Sequence, residues 1–233
     1  MVHDERSTIS AKEQYNLEAK PDIALVKLYV TGEGMFIADA VENVHKKVSE
    51  ICEAFQSAHP QIQKIETFDV HFGQKEERFR NESTAYPRPL VVQGLLITSR
   101  PDEPTVLHRI LDEGIKRGAM LDSPQRPSFT NQLVNSALLY GLIDSESHEK
   151  QAVEQCLKRA DARCRALAAA IGKKIGKLTG VANVSVESSV GDPFQRDYVH
   201  VKRSFPTRFL SPAPDKVVIC ASLTASYELL DTA

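Results

Sequence analysis

The sequence predicts an α+β fold: an antiparallel sheet with helices on one face, in the ferredoxin-like βαββαβ order, extended by a long third helix and two C-terminal strands. Two observations predict it. From Ile23 to Ile143 the segments alternate between two-residue and three-to-four-residue apolar spacing in the order strand, helix, strand, strand, helix, strand. Residues 146–171 then form one long helical pattern, with apolar side chains at Val153, Cys156, Leu157, Ala160, Cys164, Leu167 and Ile171.

In chain order, TISAKEQYNLE (Thr8 to Glu18) alternates weakly and reads as an edge strand, closed by a turn at Lys20-Pro21-Asp22. IALVKLYVT (Ile23 to Thr31) is a strand that ends at Gly32 and Gly34. Ile37, Val41, Val44, Val48, Ile51 and Phe55 stripe the first helix, which His59-Pro60 stops. Ile62 to Phe72 reads as a strand, and Leu90 to Thr98 (LVVQGLLIT) as a central one; the charged segment between them is a long hairpin connection. Pro104 suits a first helical position, and Val106, Leu107, Ile110, Leu111 and Ile115 stripe a second helix to Gly118. Asn135 to Ile143 is a strand feeding the long helix. Asp144 and Ser145 cap that helix and Gly172 ends it, with acidic residues early and basic residues late along the dipole. Leu178 to Val190 and Val217 to Leu229 are the last strands. The expectation is one domain over residues 8–230, with sub-units 20–144 and 145–230 as its natural division.

The 233 residues bury a sizeable core, and a 42% hydrophobic and 26% charged composition is that of an ordinary globular chain. A formal net charge of -2 argues against nucleic acid as a partner, since a duplex binder carries a basic excess. No run approaches the roughly 18 apolar residues of a membrane span. MVHDERSTISAKEQ lacks the apolar core of a signal peptide, so a native start at Met1 implies the cytoplasm; a removed signal would imply the periplasm or envelope instead. The four cysteines, Cys52, Cys156, Cys164 and Cys220, form no C-x-x-C pair and read as reduced core residues.

The motif search yields no catalytic residue, cofactor site or metal site. GKKIGKLTG (Gly172 to Gly180) resembles a phosphate loop only superficially. The order is helix then strand, the glycines are one residue too close, and Leu178 stands where Ser or Thr belongs. The seven histidines make no H-x-x-x-H pair, and Asp69 with His71 on one strand face is the nearest approach to a ligand pair. There is no G-x-S-x-G, and Glu76-Glu77 read as solvated charges. One stretch stands apart. Residues 191–215 interleave aromatic and basic side chains, and Phe194, Arg196, Tyr198, Arg203, Phe205, Arg208 and Phe209 form a candidate partner surface, because aromatics and arginines carry interface energy. A hairpin loop folded over its own sheet accounts for them equally well.

The order and wording of these segments resemble the SIMPL-domain family, named for a signalling molecule associated with a pelle-like kinase. Pro21, Asp22 and Ala24 stand in its Pro-Asp-x-Ala opening strand. Ala160, Asp161, Ala162, Arg163, Leu167, Ala168, Gly172 and Gly176 stand in its Ala-rich helix and doubled Gly-Lys. Tyr227-Glu228-Leu229 resemble the end of its last strand, and the likeness spans about residues 8 to 230. One departure is Lys12-Glu13-Gln14, where many members have Gly-x-Gly. The resemblance brings no shared catalytic site. It implies protein–protein association: some bacterial members look like self-assembling, stress-linked envelope proteins, and the animal member binds in innate-immune kinase signalling.

The expected function is therefore non-enzymatic, through self-assembly or protein binding. One alternative is a small-molecule binder or enzyme with a site between sheet and helices, near Asp69, His71 and the 73–89 loop. The other is an adaptor in a kinase pathway.

Overall fold

The computed structural model describes residues 7–77, 86–101, 104–121, 137–188 and 209–231. Within them the chain runs β1 (Thr8–Ala19), β2 (Ile23–Glu33), α1 (Ile37–Ala58), β3 (Ile62–Glu77), β4 (Tyr86–Ser99), α2 (Pro104–Lys116), β5 (Leu138–Gly141), α3 (Ser145–Ala170), β6 (Lys173–Ser188), β7 (Leu210–Ser211) and β8 (Val217–Asp231). It divides into two compact units, one of residues 21–143 and 192–215, the other of residues 1–20, 144–191 and 216–233.

The first unit is built on a five-stranded antiparallel sheet in the order β3-β4-β2-β5-β7. Its first four strands have the ferredoxin-like order expected of the segment pattern, and β4 is central as read. β2 is an almost unbroken apolar run because both of its faces are covered. Ala24, Val26, Leu28 and Val30 enter one core with Ala40, Val44, Ile51 and Phe55 of α1 and Leu107 and Ile110 of α2. Ile23, Leu25 and Tyr29 enter a second core with Phe68, Val92, Leu96, Leu139 and Leu210. The first helix lies directly on the end of β2. A Cβ at Gly32 would collide with the Ala40 carbonyl and the Val44 backbone, so only glycine admits that approach. Asp22 closes the other end of the strand: its N–H donates to the Gly141 carbonyl at 3.0 Å, and its carboxylate accepts from the Ile143 N–H at 2.8 Å.

The second unit corrects the expectation that the late elements extend the same sheet. β6 and β8 join β1 in a separate three-stranded antiparallel sheet, β1-β8-β6, with α3 on one face. β8 alternates cleanly: Val217, Ile219, Ala221, Leu223, Ala225 and Tyr227 are buried, while the residues between them are half-buried on the opposite face. The Asp144 carboxylate caps α3 by accepting from the Ser147 N–H at 3.4 Å, and Gly172, at φ 69, turns the chain into β6 as expected.

The buried stripe of α3 also differs from the one read in the sequence. Ala152, Cys156, Ala160, Cys164 and Ala168 have no exposure, whereas Leu167 is 46% and Ile171 61% exposed. Residues four apart advance 40° beyond a full turn, so a stripe of that spacing winds around the helix. A helix crossing the sheet obliquely follows such a stripe, and small side chains on it permit close approach. Leu167 is left on a flank.

We therefore expect Leu167→Asp to cost less than about 1 kcal/mol. Ala160→Phe, which overpacks the seam, should cost about 1–3 kcal/mol or more. Chemical denaturation followed by far-UV circular dichroism measures both, and the reverse ranking would refute this packing.

Candidate association surface

The residues singled out at 191–215 divide unevenly. Phe194, Arg196, Tyr198, Arg203, Phe205 and Arg208 lie outside the described residues. Phe209 is buried at 1% exposure, immediately before the β7 residue Leu210, which belongs to the second core of its unit. Its aromatic ring is thus a packed side chain, not an exposed contact. Asp69 and His71 both lie in β3, whose pairing with β4 has a register shift between Phe68 and Val70. Among the described residues no group of three or more His, Cys, Asp or Glu side chains is placed to hold a metal, and no helix is long and apolar enough to cross a membrane.

The feature with the clearest geometry is β1. It pairs with β8 over twelve consecutive residues, Thr8 with Glu228 through Ala19 with Val217, without a register shift. Its side chains alternate. Ile9, Ala11, Glu13, Tyr15, Leu17 and Ala19 are buried or half-buried on the α3 face, and the residues between them are exposed. Three side chains of α3 engage this face. The Arg163 guanidinium donates to the Glu13 carboxylate at 2.6 Å. The Arg159 guanidinium lies 4.6 Å from the centre of the Tyr15 ring. The Cys156 thiol donates to the Glu13 carbonyl at 3.3 Å. The one acidic residue on the strand's inner face is thereby neutralised.

The opposite face of β1 carries exposed hydroxyl, amide and charged side chains. Ser10 and Ser226 share a hydrogen bond at 2.7 Å, Ser185 and Ser222 one at 2.9 Å, and Lys216 donates to Glu18 at 2.7 Å. Around the helix, Asp161 accepts from Arg165 at 2.7 and 3.1 Å. Burial pushes the Tyr227 phenol above its ordinary value, and the adjacent Asp161 carboxylate adds to the effect. Burial likewise raises the Cys156 and Cys164 thiols. The raised values keep the Cys156 and Cys164 thiols protonated at neutral pH.

The sequence matches the family SIMPL, described as a protein of unknown function (DUF541), over residues 9–227. The chain belongs to the SIMPL family. That match runs through both structural units, from the first residues of β1 to Tyr227 in β8. Comparison with curated proteins gives no match. The SIMPL description assigns no role.

Residue-by-residue reading missed one group. Lys27, in the middle of β2, is 1% exposed, its amine 5.6 Å from the centre of the Tyr29 ring. Alternation puts it on the face of Leu25 and Tyr29, and register sets it beside Leu96. The signal was available: a lysine between apolar neighbours on both sides, in a strand whose two faces are both buried.

Two outcomes are expected. Phe209→Ala should destabilise the chain by about 3–5 kcal/mol, a core loss measurable by denaturant titration. In the native protein at neutral pH, Cys156 and Cys164 should resist alkylation. Their raised values keep them as thiols, so labelling increases only at higher pH or on unfolding. Peptide mass mapping reads this, and rapid native labelling of either cysteine would contradict the packing of α3.

Proposed function

We propose that this SIMPL protein is a non-catalytic association module, which binds another polypeptide by adding a strand to an open sheet edge. One observation carries the reading: β1 is a long, regular strand whose outer edge pairs with no strand among the described residues. A row of free backbone N–H and C=O groups is a template for strand addition. Natural edges are commonly short or bulged, and this one is twelve residues long without a register shift. The groups around it are structural in character. Arg163, Arg159 and Cys156 fasten β1 to the helix, and hydroxyls of the opposite face bond to one another across the strands.

The solution mass, taken by light scattering on a size-exclusion column across a concentration series, tests the reading. A concentration-dependent mass above the 25.9 kDa of one chain is expected. A chain that remains a single 25.9 kDa species throughout, and that a panel of small metabolites stabilises thermally, would replace association with ligand binding.

A further inference from the structure

We propose that the strand added to β1 is β1 of a second copy of this chain, paired antiparallel about a two-fold axis at Tyr15. The inference rests on the association reading above and gives it a partner and a register.

The sheet edges among the described residues are not equivalent. β6 has three register shifts along its pairing with β8 and a left-handed residue, Asn183 at φ 53. β3 has two register shifts, and β7 is two residues long. Bulges and short length are the devices that twist an edge away from further pairing. β1 has neither; its register is unbroken over twelve residues.

The backbone of β1 faces outward at defined positions. The Leu229 N–H donates to the Ser7 carbonyl at 2.9 Å, which makes that pair a hydrogen-bonded one. In an antiparallel ladder such pairs alternate, so with no register shift the odd-numbered residues of β1 direct their backbone groups at β8. The outward groups belong to Thr8, Ser10, Lys12, Gln14, Asn16 and Glu18.

A two-fold axis at Tyr15 sets each residue opposite the one equally far on the other side of Tyr15. Outward positions then meet outward positions, as a ladder requires, and side chains on each face meet those on the same face. On the exposed face, Lys12 stands opposite Glu18 of the second copy, twice in the dimer, and Gln14 opposite Asn16. On the α3 face, Tyr15 meets its own mate and Ala11 meets Ala19. Lys12 is exposed and makes no ion pair among the described residues, and Glu18 uses Oε1 for Lys216, leaving Oε2 for a lysine across the edge. The opposite charges of Lys12 and Glu18 therefore complement each other in this register. Glu13, the inward acid that would otherwise guard the edge, is already neutralised by Arg163 at 2.6 Å. The product is a continuous six-stranded sheet, β6-β8-β1 followed by its two-fold mate.

The test is sedimentation velocity on the full chain and three variants. The wild type should sediment as a dimer. Gln14→Pro removes an outward N–H and the exposed side-chain hydrogen bond from Gln14 to the Cys220 sulfur, losses an edge strand tolerates, and should give a folded monomer. Lys12→Glu should weaken the dimer by about tenfold or more, and the double reversal Lys12→Glu/Glu18→Lys should restore it. Should Gln14→Pro fail to fold, the two charge variants, both at exposed positions, still decide. A monomeric wild type overturns this self-pairing; the association reading falls with it only if small metabolites also stabilise that monomer thermally. An oligomer unaffected by Lys12→Glu overturns the β1 pairing alone. A Lys12→Glu variant that dissociates without rescue by the double reversal overturns the register at Tyr15.

Discussion

The pairing of β1 with β8 is the constraint on which the second unit depends. It joins Thr8 to Glu228 and Ala19 to Val217, across almost the whole length of the chain. Closing so long a loop carries an entropic cost, and the contacts that offset it form only once both ends are present. Without β1, β8 would lose one neighbour and α3 would lose Glu13 and Tyr15, two of the side chains it engages. The first and last strands of the sequence are therefore one structural element in energetic terms.

The two units solve the same packing problem with different side chains. In the ferredoxin-like unit, α1 and α2 bring Val44, Ile51, Phe55, Leu107 and Ile110 onto the sheet, and glycine at position 32 admits a close backbone approach that larger residues would block. In the other unit, α3 presents alanine and cysteine, and bulk comes from β8. A small-residue seam gives less apolar area per residue but lets helix and sheet approach closely. It also leaves polar side chains on the flanks of the helix free to reach the strands, as Arg163 does with Glu13 and Arg159 with Tyr15.

The same economy bears on function. β1 is held on its inner edge by β8 and from above by α3, so its backbone is fixed in an extended conformation before any partner arrives. A preorganised edge loses little further entropy on binding. The ion pair that secures it also removes the inward charge that often protects edges from one another.

Local pattern determined the elements. Among the described residues, apolar periodicity located the three helices and the main strands, Pro104, Asp144 and Gly172 marked helix ends, and the run from Ile23 to Ile143 carried the ferredoxin-like order, because such signals depend on neighbours within a few residues. The family was legible too, through the resemblance across residues 8 to 230, and the match over residues 9–227 bears it out. What only the tertiary structure decided was partnership. No periodicity states that β6 and β8 leave the first sheet to pair with β1, that β1 is the regular edge, or that Phe209 packs inward while Leu167 does not. Those outcomes depend on which surface each stripe meets. That choice is made by register and crossing angle between segments far apart in the chain, where a one-residue slip exchanges the two faces of a strand.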